Sequence, residues 1–292
     1  MQVYRTSTIK RERRTGERIE QLDAQIIDVL NADHPQSVRH VFYRMTDPRL
    51  PEPVEKSDRG YRHVQDRALK LRRTGRLSYG WISDTSRRGY FTPTYASRAD
   101  FLRGMKEHYR ADLWQHADVY CEVWCESRSI AGVIEDDCRE LAVSLYPAGG
   151  FSSATLAYEA ANAINYYANE RPVVIFYIGD YDPAGVLIDV AIERELRLHL
   201  NPGIELDFRR IAITAEQIDQ LDLPRKPRKP GDRRAPHIQD TVEAEAMPAG
   251  ILRDLLHGHI ESLLPRRALA VAKIEEEAAR EYFDVLARRM RK

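Results

Sequence analysis

The sequence predicts an α/β protein in two parts: a basic front of three helices and a strand, then a parallel α/β sheet followed by C-terminal helices. Three observations carry this reading. Apolar residues recur at helical spacing between 17 and 73, strand-like and helix-like runs alternate between 119 and 213, and the charge changes sign between the two regions. Residues 1–110 carry 23 Lys/Arg against 14 Asp/Glu, residues 111–200 carry 5 against 15, and residues 201–292 carry 17 against 16. The 292-residue chain is formally neutral, 45 against 45, although its parts are not. A basic front suits a polyanion and an acidic middle suits cations, while simple attraction between the two lobes would produce the same asymmetry. The chain divides accordingly into 1–110 and 111–292.

In the front, Ile19, Leu22, Ile26, Ile27 and Leu30 predict a helix over Glu17 to Leu30. His34-Pro35-Gln36-Ser37 breaks it, and Ser37 can cap a second helix. There Val38, Val41, Phe42 and Met45 form one apolar face. A third helix from about Arg62 to Arg73 turns inward Val64, Ala68 and Leu71. Leu77 to Ile82 reads as a short aromatic strand. Three helices with a basic face and a following strand predict a winged helix-turn-helix. Arg62, Arg67, Lys70, Arg72, Arg73 and Arg76 crowd the third helix and its turn, where they would track a phosphate backbone rather than read bases.

In the middle, strands are predicted at Val119 to Trp124, Ala142 to Tyr146, Val173 to Ile178 and Ile204 to Ile213. Helices are predicted between them at Ile130 to Leu141, Ser153 to Ala168 and Ala184 to Leu200. The unbroken apolar run of the third strand marks burial on both faces, and the alternation marks a parallel sheet. Leu223 to His237 (LPRKPRKPGDRRAPH) reads as an exposed loop that orders only around an anion. Two helices follow, at about Pro248 to Leu264 and Pro265 to Arg291. Three cysteines are too few for a disulfide framework, no secretory signal is recognisable, and no apolar run approaches a membrane span, so a reducing cytoplasm and no membrane partner are expected.

The most specific chemistry lies in Gly179-Asp180-Tyr181-Asp182-Pro183-Ala184-Gly185, where a buried strand ends and a helix begins. Ligands of parallel sheets bind at strand carboxyl ends. In extended chain, Asp180 and Asp182 point the same way and can present two carboxylates to one ion. Hard oxygen ligands without His or Cys suit Mg²⁺, with Mn²⁺ as a substitute. The alternative is an acidic turn in which Asp182 only starts the helix. Glu126 closes the first strand and can lie beside the pair. Glu122, four residues back, is its rival, and a helix-start acid favoured by the dipole is the plainer account of Glu126.

The glutamate ending the first strand, the Gly149-Gly150 turn after the second and the G-D-x-D-P-x-G ending the third resemble a Toprim domain. The resemblance is to the topoisomerase VI A subunit and the meiotic double-strand-break protein related to it, over roughly 118–200. It implies a winged-helix domain followed by a Toprim domain, and Glu126, Asp180 and Asp182 as Mg²⁺ ligands for DNA strand cleavage. It further implies a nucleophilic tyrosine in an R-x-x-[YF]-Y setting on the winged helix, matched here by Arg39 to Tyr43 with Phe42 as the first aromatic.

Helical geometry agrees with that assignment. Val38, Val41, Phe42 and Met45 fall within about 100° of arc, and Tyr43 lies about 140° from Val38, next to Arg39 on the polar flank. A guanidinium there can hold a phosphate while the phenol attacks. A surface tyrosine resting on an arginine stem is the plain alternative. The implied chemistry is transesterification to a phosphotyrosyl bond on double-stranded DNA by a homodimer, with Glu126 as metal ligand or proton carrier.

Arg44, Arg87 and Arg88 are further candidate DNA contacts; the last two stand where the family often has a Lys-Gly turn. Residues 201–292 match the family only vaguely. No Walker G-x-x-x-x-G-K-[ST] occurs, so no ATP site is expected; either a separate B-type ATPase subunit supplies one, or the chain is a compact stand-alone cutting or relaxing enzyme. Two other functions fit the same residues: a Toprim nuclease that uses water, and an inactive DNA-binding module. A nucleoid location in the cytoplasm follows from any of the three.

Overall fold

A computed structural model describes residues 14–83, 92–106, 108–150 and 154–290. Two compact units divide between Ile82 and Ser83, earlier than the expected boundary at 110. The reason lies in residues 98–110. Helix α4 (Arg98–Met105) packs against the C-terminal helix of the second unit, and Lys106 and Arg110 pair with Asp284 and Glu276 on it.

The first unit is three helices: α1 (Gly16–Ala32), α2 (Val38–Met45) and α3 (Asp58–Arg73). Thr15, Ser37 and Ser57 each accept the backbone N–H three residues on, which satisfies donors the first turn leaves open. Leu22, Ile26, Leu30, Val41, Phe42, Met45, Val64, Ala68 and Leu71 fill the space between them, all below 5 % exposed. The expected aromatic strand at 77–82 is a 3₁₀ turn, Tyr79–Trp81, with a single bridge from Ile82 to Gln36. Ser78 and Gly80 interrupt the β pattern there, and no wing hairpin occurs among the described residues of this unit.

The second unit is built on a four-stranded parallel sheet: β1 (Tyr120–Cys125), β2 (Ser144–Pro147), β3 (Val173–Ile178) and β4 (Leu206–Ala212), ordered β2-β1-β3-β4. Helices α5 (Arg128–Glu140), α6 (Ala154–Tyr167) and α7 (Gly185–His199) are the crossovers. All six β3 side chains are buried. Trp124, Ile175 and Tyr177 pack with Ala157, Ile164, Ile188, Ile192 and Leu196 of α6 and α7. The other face meets α5 and α9 (Ala249–Glu261). Each large apolar side chain so buried contributes roughly 1.5–3 kcal/mol over an exposed one.

Beyond β4 come α8 (Ala215–Gln220), a short antiparallel pair β5 (Lys226–Pro227) and β6 (Asp240–Thr241), α9, and α10 (Ala268–Arg289). None of the described helices is long and apolar enough to cross a membrane.

Strand order places the site. The chain goes from β1 to β2 on one side, then returns to β3 on the other. The crevice at the carboxyl ends of β1 and β3 is therefore the topological switch point, where open α/β sheets bind ligands.

Candidate functional site

Three separated sequence motifs meet at that switch point. Glu126 extends β1 by one residue, its N–H donating to the Ile178 carbonyl at 2.8 Å. The Gly-Gly turn after β2 donates both of its N–H groups to the Glu126 carbonyl, at 2.8 Å from Gly149 and 3.3 Å from Gly150. Both glycines have positive φ, +70° and +93°, which other residues rarely adopt. The Glu126 carboxylate in turn accepts the Asp180 N–H at 2.9 Å through Oε2.

Asp180 and Asp182 do different things. Asp180 sits past the end of β3 and its Oδ1 accepts the Ala244 N–H at 2.8 Å. Asp182 Oδ1 accepts the N–H groups of Ala184 and Gly185 at 2.8 and 2.6 Å, capping α7. Strand β3 ends at Ile178, and Asp182 takes the helix-start role through Oδ1 while its charge still acts on Glu126. Gly185 is required here, because a Cβ would collide with the Asp180 carbonyl.

Two participants went unassigned in the sequence. Glu245, 5 % exposed, receives the Ser127 hydroxyl at 3.5 Å and adds its charge to those acting on Asp180 and Glu126. Arg210 on β4 ties the acidic loop together. Its guanidinium donates to the carbonyls of Gly179 (3.0 Å), Asp180 (3.2 Å) and Gly185 (2.8 Å), pairs with Asp189 at 2.7 Å, and lies 5.1 Å above the Tyr177 ring. The TVEAEA stretch held a signal for Glu245 in its alternating small residues, which mark burial. For Arg210 no local signal exists, since its partners lie 21 to 31 residues away.

Burial and neighbouring charge favour the protonated form of two of these acids. Burial, followed by the neighbouring charges of Glu126 and Glu245, raises the Asp180 carboxyl well above its ordinary range. Burial also raises Glu126, opposed by the Asp180 N–H and reinforced by Asp182. Glu122 is a different matter. It is fully buried, receives the Tyr120 hydroxyl (3.0 Å) and the Trp124 indole N–H (2.9 Å), and is pushed up to about 7 by burial. It serves the core.

An all-oxygen donor set fits a hard divalent ion, and the buried Tyr177 hydroxyl beneath the loop has no hydrogen-bond partner. Among the described residues, no group of three His, Cys, Asp or Glu side chains is arranged as a metal cage. One or two carboxylates can hold such an ion when water completes its coordination.

In the first unit the expected nucleophile is not on a polar flank. Tyr43 is 3 % exposed, its ring 5.3 Å from Phe42 and 5.8 Å from Lys56 Nζ. An eight-residue helix wedged between α1 and α3 buries more than one face, so the 140° offset from Val38 still points into protein. Arg39 stacks on the Tyr61 ring at 4.9 Å. Burial lowers the proton affinity of Arg44, opposed by Asp47 and Asp33.

The expected DNA contacts divide. Arg67 is bound to the buried Asp23, and Arg76 to Glu20 at 2.5 Å, so these two brace α1 against α3 and its turn. Arg72 lies 5.2 Å over the Tyr79 ring. Arg62, Lys70 and Arg73 are exposed. Arg87 and Arg88 lie outside the described residues.

No protein-family model matches this chain, and neither does any curated protein or solved structure.

Proposed function

We propose that this chain is a divalent-cation-dependent DNA-cleaving enzyme resembling the topoisomerase VI A subunit, with Glu126 and Asp180 as the principal carboxylates and Tyr43 as the attacking group. The observation that supports it is the hydrogen bond from the Asp180 N–H to Glu126 at the sheet's switch point, which brings the separated acids of the motif to one place. A Mg²⁺ ion bound there would neutralise charge on the scissile phosphate and polarise the leaving oxygen.

The chain's own residues do the rest. Arg210 holds the loop that carries Asp180 and Asp182. Glu126 stays ionised as a ligand of that ion, and the sugar oxygen takes its proton from solvent water as the P–O bond breaks. The Tyr43 oxygen forms the new bond to phosphorus and passes its own proton to solvent water. As in the family it resembles, a homodimer on double-stranded DNA would supply two such sites, and a B-type subunit would supply ATP hydrolysis.

One observation favours a second reading. With Tyr43 97 % covered, attack through it requires α2 to open, whereas water needs no such movement. Hydrolysis by a metal-bound site with Tyr43 structural is the alternative. Incubation with duplex DNA and Mg²⁺, stopped with detergent, separates them. A covalent protein–DNA adduct that vanishes in Tyr43→Phe supports transesterification. Cutting without an adduct that survives Tyr43→Phe supports hydrolysis. No Mg²⁺-dependent cutting overturns both.

A further inference from the structure

The Pro- and Arg-rich segment after α8 was expected to order only around an anion, yet it is ordered from within. Arg228 accounts for this. Its guanidinium donates to the carbonyls of Asp232 (2.5 Å), Arg234 (2.9 Å), Ile238 (2.9 Å) and Pro236 (3.4 Å), and its backbone N–H donates to Gln239 at 2.9 Å. Asp232 adds an Asx-type hold, receiving the Arg234 N–H at 3.0 Å and pairing with its side chain at 2.8 Å. Strands β5 and β6 close the base.

This ordered hairpin is fastened to the acidic site. Tyr181, between Asp180 and Asp182, exchanges both backbone hydrogen bonds with Val242, at 2.8 and 2.9 Å. Lys226 Nζ lies 2.6 Å from Glu243, and the next residue, Ala244, donates to Asp180. A cleft of about 210 Å³ separates Tyr181 from Arg225, His237 and Gln239. The Arg234 guanidinium, held mainly by Asp232, also lies within electrostatic reach of Asp182.

Segment 223–237 carries six Lys/Arg and one Asp. Of these cations, Lys229 and Arg233 are exposed and join no ion pair among the described residues. Beside carboxylates suited to a divalent ion, such a surface matches a phosphodiester backbone, which presents anionic oxygens to both.

We propose that this hairpin is a preformed lip of the acidic site that grips the phosphate backbone of duplex DNA through Lys229 and Arg233. The lip deepens the reading of the acidic site as a DNA-cleaving centre and rests on it. Because Arg228 pre-orders the segment, binding does not have to fix a floppy loop.

The test is duplex-DNA affinity of the full chain across a salt series in EDTA, for wild type and Lys229→Gln/Arg233→Gln. The double variant should lower the log–log salt slope by about 1.8, at roughly 0.9 per phosphate contact, and weaken binding. Its Mn²⁺ affinity at the acidic site should match wild type. An unchanged slope in a variant with wild-type circular dichroism, or no salt-dependent binding by wild type, overturns the lip. A normal lip effect together with no Mg²⁺-dependent cutting leaves the lip standing and removes the cleavage reading instead.

Discussion

The Asp180 N–H donates to Glu126 Oε2 at 2.9 Å, so the carboxylate that ends β1 is held by the loop that ends β3. Burial favours the protonated form of both, helped at Asp180 by the charges of Glu126 and Glu245 and at Glu126 by those of Asp182 and Glu245.

A divalent ion must displace those protons. Mn²⁺ affinity should therefore rise with pH across the range in which raised carboxyls ionise, with proton release on binding. Titration calorimetry in two buffers of different ionisation enthalpy reads both. Asp180→Asn keeps an acceptor for the Ala244 N–H but removes the charge, and should weaken binding at least about tenfold, some 1.4 kcal/mol. Affinity independent of pH would speak against these ligands.

Tyr43→Phe should abolish the covalent DNA adduct while costing no more than about 1.5 kcal/mol of stability, the net worth of a single hydrogen bond. Tyr43→Ala should cost about 3–5 kcal/mol, as for other buried aromatics, and is uninformative about chemistry. Urea melts alongside the trapping assay check both values.

Glu122 supplies a pH test of the core. Its folded-state carboxyl is raised to about 7, above the ordinary 4.5, so the folded chain binds more protons than the unfolded one between those values. Stability contributed by this group is full below pH 4.5 and declines as pH rises through about 7. Glu122→Gln should remove that decline, gaining about 3 kcal/mol on wild type between pH 5 and pH 8, at 1.36 kcal/mol per unit. The amide can still be met by the Tyr120 hydroxyl, which both donates and accepts. Parallel melting curves for the two proteins would contradict this.

Arg67 should behave unlike its neighbours. Asp23 is 1 % exposed, with Arg67 as its close partner and Arg76 at 3.6 Å, so Arg67→Met should leave the buried carboxylate to Arg76 alone and cost at most about 3–5 kcal/mol. Its effect on the salt slope of DNA binding should be nil. Lys70→Gln and Arg73→Gln, on exposed positions, should leave the unfolding midpoint in place and alter binding alone.

Periodicity made much of the architecture legible. Val173–Ile178 has the bounds its unbroken apolar run predicts, and Val38–Met45 starts where Ser37 caps it. The strand ends meet as the spacing of Glu126, Gly149-Gly150 and Asp180 required. What failed depended on partners distant in sequence. The exposure of Tyr43 was argued from one helix, but α2 is enclosed by two others. Arg67 and Arg76 looked like phosphate contacts until Asp23 and Glu20 on α1 met them. Arg228 orders its hairpin through carbonyls, groups that every residue carries and no composition reveals.

The most direct measurement is anomalous diffraction from a crystal soaked in Mn²⁺. The account predicts one peak at the carboxyl ends of β1 and β3, with an oxygen of Glu126 and one of Asp180 each within about 2.2 Å, near the range hard divalent ions require. A soaked crystal with no peak there, or with the ion bound to neither carboxylate, would contradict it.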